Sequence, residues 1–447
     1  MVGGEYRREK ARFVADQDVQ DGLTFLNSLQ TFAPPALEVA EGFGEINVPI
    51  LKDIPFFQSL TLSGAARYSH YNKAYGSTGG VWAYNFGGEW APIRDIRFRA
   101  NYGKAVRAPN YTDTATPSNQ DFAPGFLDPC NAGRIGAGQP QRQANCQADL
   151  GALLNNADFQ GLTNLGYSLE LISGSNPNLR QETSKSLTIG AVVTPRFLPG
   201  FDLTVDYFDI DVSNVITAAS AQQIVDLCYD NRQFCDLFQR YTGSGLGPNG
   251  EVPGQIIQGS LLQSSLNFAS LKRRGIDVQV NYNRRLTEDL RVNLRGYYTH
   301  QIRNSNFTDP TRPDFETRVL NQLGDPKDEF TLNADFTVGK LTAGYGLHYI
   351  GPMLTTAYAN LYPINGNPPL NEDVISIRKY PDVFYHNVRL SLQLGATTEE
   401  RKGFEWFVGI DNVGNRKPPL GSTGTGAGSA IYEVLGRSFF TGVRATF

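Results

Sequence analysis

The final eleven residues alternate without a break. Phe439, Thr441, Val443, Ala445 and Phe447 fall on one side, and Ser438, Phe440, Gly442, Arg444 and Thr446 on the other. Period-two alternation marks a strand whose two faces meet different surroundings. The pattern recurs upstream. Trp82, Tyr84, Phe86 and Trp90 oppose Ala83, Asn85, Gly87 and Glu89, and Ile96, Phe98, Ala100 and Tyr102 oppose Arg97, Arg99 and Asn101. Alternation alone does not say which face is inside.

Alternating runs bounded by turn residues predict roughly fourteen strands, near 3–12, 42–51, 58–70, 80–90, 96–106, 183–194, 202–213, 268–282, 289–300, 327–337, 341–350, 383–394, 404–413 and 437–447. The connections between them sort into two kinds in strict turn. Short ones are 52–58, 91–95, 195–201, 283–288, 338–340 and 395–403; long ones are 13–41, 107–182, 214–267, 301–326, 351–382 and 414–436, with 71–79 the one brief member. In an up-and-down antiparallel sheet every second connection emerges on the same side, so all long loops share one rim. Transmembrane barrels have this asymmetry, and Greek-key sandwiches do not sort their loops so consistently.

Strand length and inner-face polarity agree with that choice. Crossing the hydrocarbon layer takes about 9–11 tilted residues, against about 5–6 in soluble strands. One set of faces carries Arg97, Arg99, Asp277, Gln279, Asn281, Arg291, Asn293, Arg295, Arg389 and Gln393, a load that a dry core could not bury without partners. A wet lumen accommodates it. The 40% hydrophobic content is compatible with a barrel, because only alternate strand residues meet lipid. No apolar run is long enough for a membrane helix. The formal charge of -4 gives no reason to expect nucleic acid.

The N-terminus lacks the apolar core and cleavage site of a signal peptide. Four cysteines fall in two close pairs within long connections, Cys130 with Cys146 and Cys228 with Cys235. In an oxidising compartment they predict two local disulfides, although four cysteines permit three pairings. Zinc is the rival reading, but no histidine lies near either pair. His70, His300, His348 and His386 are isolated. There is no nucleophile elbow or phosphate-cradling Gly-Lys-Ser/Thr loop, and the glycine-rich stretch 421–429 precedes a strand rather than a helix. An enzyme is not expected, nor is a cofactor.

Several segments resemble the C-terminal barrel of TonB-dependent outer-membrane receptors. They are Glu45-Ile-Asn-Val-Pro-Ile-Leu-Lys-Asp-Ile-Pro-Phe-Phe57, Leu60-Thr-Leu-Ser-Gly-Ala-Ala-Arg-Tyr68, Glu89-Trp-Ala-Pro-Ile-Arg-Asp-Ile-Arg-Phe-Arg99, Lys104-Ala-Val-Arg-Ala-Pro-Asn110, Asn176-Pro-Asn-Leu-Arg-Gln-Glu-Thr-Ser184, Asp206-Tyr-Phe-Asp-Ile210 and Gly409-Ile-Asp-Asn-Val413. Their order and spacing over almost the whole chain carry the likeness. It implies an all-β, antiparallel up-and-down transmembrane barrel, here about 14 of the family's 22 strands, with residues 1–447 as its C-terminal part and no plug domain or TonB segment. It also implies uptake of a scarce nutrient, in the siderophore-iron, cobalamin or carbohydrate class, across a Gram-negative outer membrane. The implied partners are outer-membrane lipid, the barrel assembly machinery, a small nutrient ligand and, through the missing N-terminal part, TonB. Loops would be extracellular and the C-terminus periplasmic, with Phe447 as the assembly signal.

Candidate ligand contacts follow from position. Arg97, Arg99, Arg291 and Arg295 on lumen faces make a basic wall for an anionic ligand, or else pair with carboxylates such as Glu89 and Asp277. Arg107 ends a strand before Pro109, as a ligand contact or as rim architecture, and Glu182 is expected to meet Arg107 or Arg180 near the rim. Tyr167 and Tyr229, in the cysteine-bearing loops, either form a binding surface or pack the loops' own core. Phe56, Phe57, Trp82, Trp90 and Trp406 suit interfacial girdles. A passive porin-like channel and a soluble all-β carbohydrate-binding domain are the alternative readings. Fourteen strands also leave two edges to be paired, which predicts an open or strained sheet.

Overall fold

The computed structural model describes residues 1–24, 28, 31–164, 166–309, 314–355, 379–394, 403–419 and 431–446. Phe447 and the stretch 421–429 lie outside them. Fourteen strands form one continuous antiparallel ladder. They are β1 (Val2–Glu9), β2 (Leu37–Ile54), β3 (Phe57–Tyr71), β4 (Gly80–Ile93), β5 (Ile96–Arg107), β6 (Glu182–Val193), β7 (Phe201–Ala218), β8 (Leu261–Arg285), β9 (Leu290–Phe307), β10 (Asp328–Val338), β11 (Leu341–Ile350), β12 (Val383–Leu394), β13 (Gly403–Asp411) and β14 (Ser438–Thr446). Each pairs with its neighbour in chain order. Among the described residues β1 is laddered only to β2, and β14 only to β13.

The register fixes two chemically distinct faces. One carries Val48, Leu62, Phe86, Phe98, Ile189, Phe336, Leu390, Val408 and Val443, and all of these are more than a third exposed. The opposite face carries the polar series, and one row across it reads Glu89, Arg99, Gly190, Asp206, Asp277, Thr299 and Glu329. Apolar residues that stay exposed along every strand satisfy a sheet only where a nonaqueous medium covers them. Near the short turns, Trp90 donates its indole N–H to the Phe56 carbonyl at 2.9 Å and its ring lies 6.0 Å from Phe57, the amphipathic anchoring expected at an interface.

The connections keep their parity. Those between β2 and β3, β4 and β5, β6 and β7, β8 and β9, and β10 and β11 are short turns on one rim; the long ones leave from the other. The long connections hold more regular structure than alternation foresaw. Strands Asn119–Phe126 and Tyr167–Gly174, and helices Arg142–Leu150, Ala157–Asn164 and Ala221–Asn231, lie inside what reads as loop. Likewise β8 begins at Leu261 rather than near 268, because its first residues pair in parallel with Leu171–Gly174 above the ladder. Buried apolar side chains gather on this rim rather than within the sheet.

A disulfide-pinned cap above a polar wall

The connections 108–181 and 219–260 fold together as a cap. Ser220 caps the helix Ala221–Asn231 through a reciprocal box with Gln223, which starts the helix soon after β7 ends at Ala218. Its buried face, Ile224, Val225 and Cys228, packs with Phe159, Leu169, Leu171, Ile256 and Leu261. Disulfides join Cys130 to Cys146 and Cys228 to Cys235, with Cα separations of 5.5 and 4.8 Å.

Two buried arginines tie the cap's halves. Arg240 donates to Asp128 at 2.8 and 3.0 Å and to the Tyr229 hydroxyl at 2.6 Å, with its guanidinium 4.9 Å above the Tyr229 ring. Arg142 reaches Asp230 at 2.6 and 2.7 Å and Asp226 at 3.0 Å. Burial pushes the Asp226 carboxyl above its usual range even though Arg142 opposes the shift. Glu251 moves the other way. Burial works against its charge, but the backbone N–H groups of Asn249 and Gln258 donate to the carboxylate and hold it below the ordinary value.

This geometry decides the aromatic candidates. Tyr229 is 1% exposed and its hydroxyl is engaged by Arg240, so its ring packs in the core of the cap. Tyr167 packs edge-on against Phe126 at 5.5 Å and belongs to the same cluster, and burial raises its hydroxyl. Arg107 donates to Glu182 at 2.7 and 2.9 Å and lies 3.3 Å from Asp113, which helps fasten the rim where β5 enters the cap.

On the polar face, Arg97 pairs with Glu89 at 3.5 Å and Arg99 with Asp206, its Nε at 2.9 Å. Arg99 and Asp206 sit on β5 and β7 with β6 between them. Gly190 is the intervening residue, and a Cβ there would stand 1.9 Å from the Asp206 carboxylate. The absent side chain leaves the passage through which the pair meets. Arg291 and Arg295 make no ion pair among the described residues. Arg291 lines a cavity of about 300 Å³ with Asn293, Asp335, Arg389 and Glu405. A second cavity of about 420 Å³, between β2 and β5, is built on Glu41, Phe43 and Arg67, with Arg67 3.0 Å from Glu41 and 4.8 Å above the Phe43 ring. Sequence reading missed it because the expected start of β2 at 42 left Glu41 outside the alternating run. No group of three or more His, Cys, Asp or Glu among the described residues could hold a metal ion.

A family model described as TonB dependent receptor-like, beta-barrel matches residues 1–413. No curated protein matches the chain. Among solved structures, the siderophore receptor PirA from Acinetobacter baumannii is similar at 13% identity and a TM-score of 0.57, covering 92% of this chain and 46% of its own. The ferric enterobactin receptor from Pseudomonas aeruginosa, in a mutant form bound to enterobactin, is similar at 14% identity and 0.59, covering 100% of this chain and 51% of its own. This chain thus spans about half the length of those receptors.

Proposed function

From the premise that the chain belongs to the TonB-dependent receptor β-barrel family, we propose that it is the C-terminal wall of an outer-membrane transporter that imports a scarce nutrient. The observation that carries the reading is the two-faced ladder: a continuous exposed apolar face, an opposite face of paired and unpaired charges, and all long loops on one rim. The apolar face meets outer-membrane lipid, with insertion aided by the barrel assembly machinery, and Phe447 is the expected recognition signal. The long-loop rim with its cap faces outward and the C-terminus faces the periplasm. Cargo belongs to the siderophore-iron, cobalamin or carbohydrate class.

In this reading Arg291 and Arg295 are the lumen groups free to meet an anionic cargo, while Arg97 and Arg99 spend their charge on Glu89 and Asp206. The test is uptake of labelled ferric siderophore, cobalamin and oligosaccharide by cells carrying the intact gene that contains this chain. Saturable uptake of one cargo that vanishes in a TonB-deficient host supports the proposal. Uptake of small solutes that persists without TonB overturns it in favour of a passive channel.

A further inference from the structure

The apolar face of the ladder changes character abruptly at the long-loop end of β6 to β9. One row of cross-strand neighbours reads Phe98, Ala191, Val205, Val278 and Tyr298. Four residues along β5 to β8, and five along β9 where the register shifts beside Arg274, the row on the same face reads Tyr102, Leu187, Asp209, Arg274 and Arg303, and beyond it Lys185, Asp211 and Lys272 stand side by side. These residues enclose a cavity of about 270 Å³ that opens outward, away from the polar wall. Its floor is Tyr102 and Leu187, and its walls carry four cations against two carboxylates.

Arg303 is held by Glu316 at 3.3 Å, outside the lining, and the two lining carboxylates do not neutralise the three cations that remain. Asp209 is taken by Arg274 at 2.7 Å, whereas Asp211 lies 3.7 Å from Lys272, too far for a hydrogen bond. Lys185 has no ion pair among the described residues. Lys272 and Arg303 both lean on the Phe307 ring, at 5.3 and 5.7 Å, which draws two cations towards one spot. A cationic niche with an apolar floor, at the level where an exposed hydrocarbon-facing band stops, matches an amphiphile whose acyl chains lie on the band and whose phosphate sits above it.

We propose that this niche docks the phosphorylated glucosamine headgroup of a lipid A-type glycolipid, with Lys185 and Lys272 holding the phosphate and Arg274 and Arg303 flanking it. The inference rests on the reading of the apolar face as lipid-facing. It commits to a lipid rather than a free anion because the niche continues into apolar surface with Tyr102 and Leu187 at the join.

The test is titration of the purified full chain, folded in detergent, with fluorescent bisphosphorylated lipid A, its dephosphorylated form and phosphatidylglycerol. The bisphosphorylated lipid is expected to bind about tenfold more tightly than the other two, and Lys185→Gln with Lys272→Gln should remove that advantage. The charge-matched control, Lys52→Gln with Lys340→Gln on the short-turn rim, should keep it. Circular dichroism of each variant confirms folding. Equal weakening in the control pair, equal binding of dephosphorylated lipid, or complete displacement by millimolar inorganic phosphate overturns the proposal. Detergent imposes no sidedness and needs no TonB, so failure here is separable from failure of the uptake assay.

Discussion

Arg240 and Arg107 each hold carboxylates, yet their surroundings give them different weight. Arg240 and Asp128 have side chains 7% and 0% exposed, whereas Arg107 is 47% exposed. Removing one partner of a buried pair strands the other charge, at about 3–5 kcal/mol, while exposed pairs are worth about 0–1 kcal/mol. Arg240→Ala should therefore open the cap to amide exchange across 219–260, whereas Arg107→Ala should leave exchange there almost unchanged. Glu251 supplies a pH dependence at the same scale. Its folded-state pKa is lowered, so its stabilisation is present above the ordinary value of 4.5 and is lost as pH falls through the folded value. Exchange in 241–260 should accelerate on acidification below that point, and Glu251→Gln should flatten the response. Gly190 is testable by a double-mutant cycle. Gly190→Ala should weaken the Arg99–Asp206 pair by about 1 kcal/mol, and this loss should shrink when Asp206 is already Ala.

At the scale of elements, the strands were legible because a two-faced strand writes its environment into every second residue. Residues such as Phe98 and Arg99 sort themselves without knowledge of neighbours. The cap was not legible for the opposite reason. Its helices are short, and the buried role of Arg240 arises from its contact with Asp128, more than a hundred residues away, while Tyr229 is held in turn by Arg240. Gly190 was silent too, since its importance lies in what passes over it from flanking strands.

Face assignment can be checked directly. Leu390 and Ser391 are neighbours on β12, paired respectively with Val408 and Phe407 on β13. Leu390→Arg places a cation on the apolar face and should cost about 2–4 kcal/mol near the bilayer midplane. Ser391→Arg on the polar face should cost far less in the same urea titration in lipid. The cap answers to redox instead. Cross-links spanning 16 and 7 residues contribute about 3 and 2.5 kcal/mol by loop entropy. Reduction should make 130–146 and 228–235 sites of proteolysis while the ladder keeps its β-type dichroism.

For the whole molecule the decisive quantity is the unpaired backbone of the two outermost strands. β1 spans Val2–Glu9 and β14 spans Ser438–Thr446, and each has one ladder neighbour among the described residues. In hydrocarbon each unsatisfied N–H or C=O costs several kcal/mol, so a sheet with two open edges cannot rest in a bilayer as a sealed wall. Those edges also bear Arg7, Arg8 and Arg444, charges that resist exposure to lipid. The isolated chain should therefore remain detergent-dependent and should give no step of uniform conductance in planar bilayers. Coexpression with a segment that supplies the missing strand pairing should convert it to a species that resists unfolding in cold detergent and migrates differently after heating. A uniform conductance from the isolated chain would show that β1 and β14 meet to close a narrower barrel, and the open-edged ladder would then have to be abandoned.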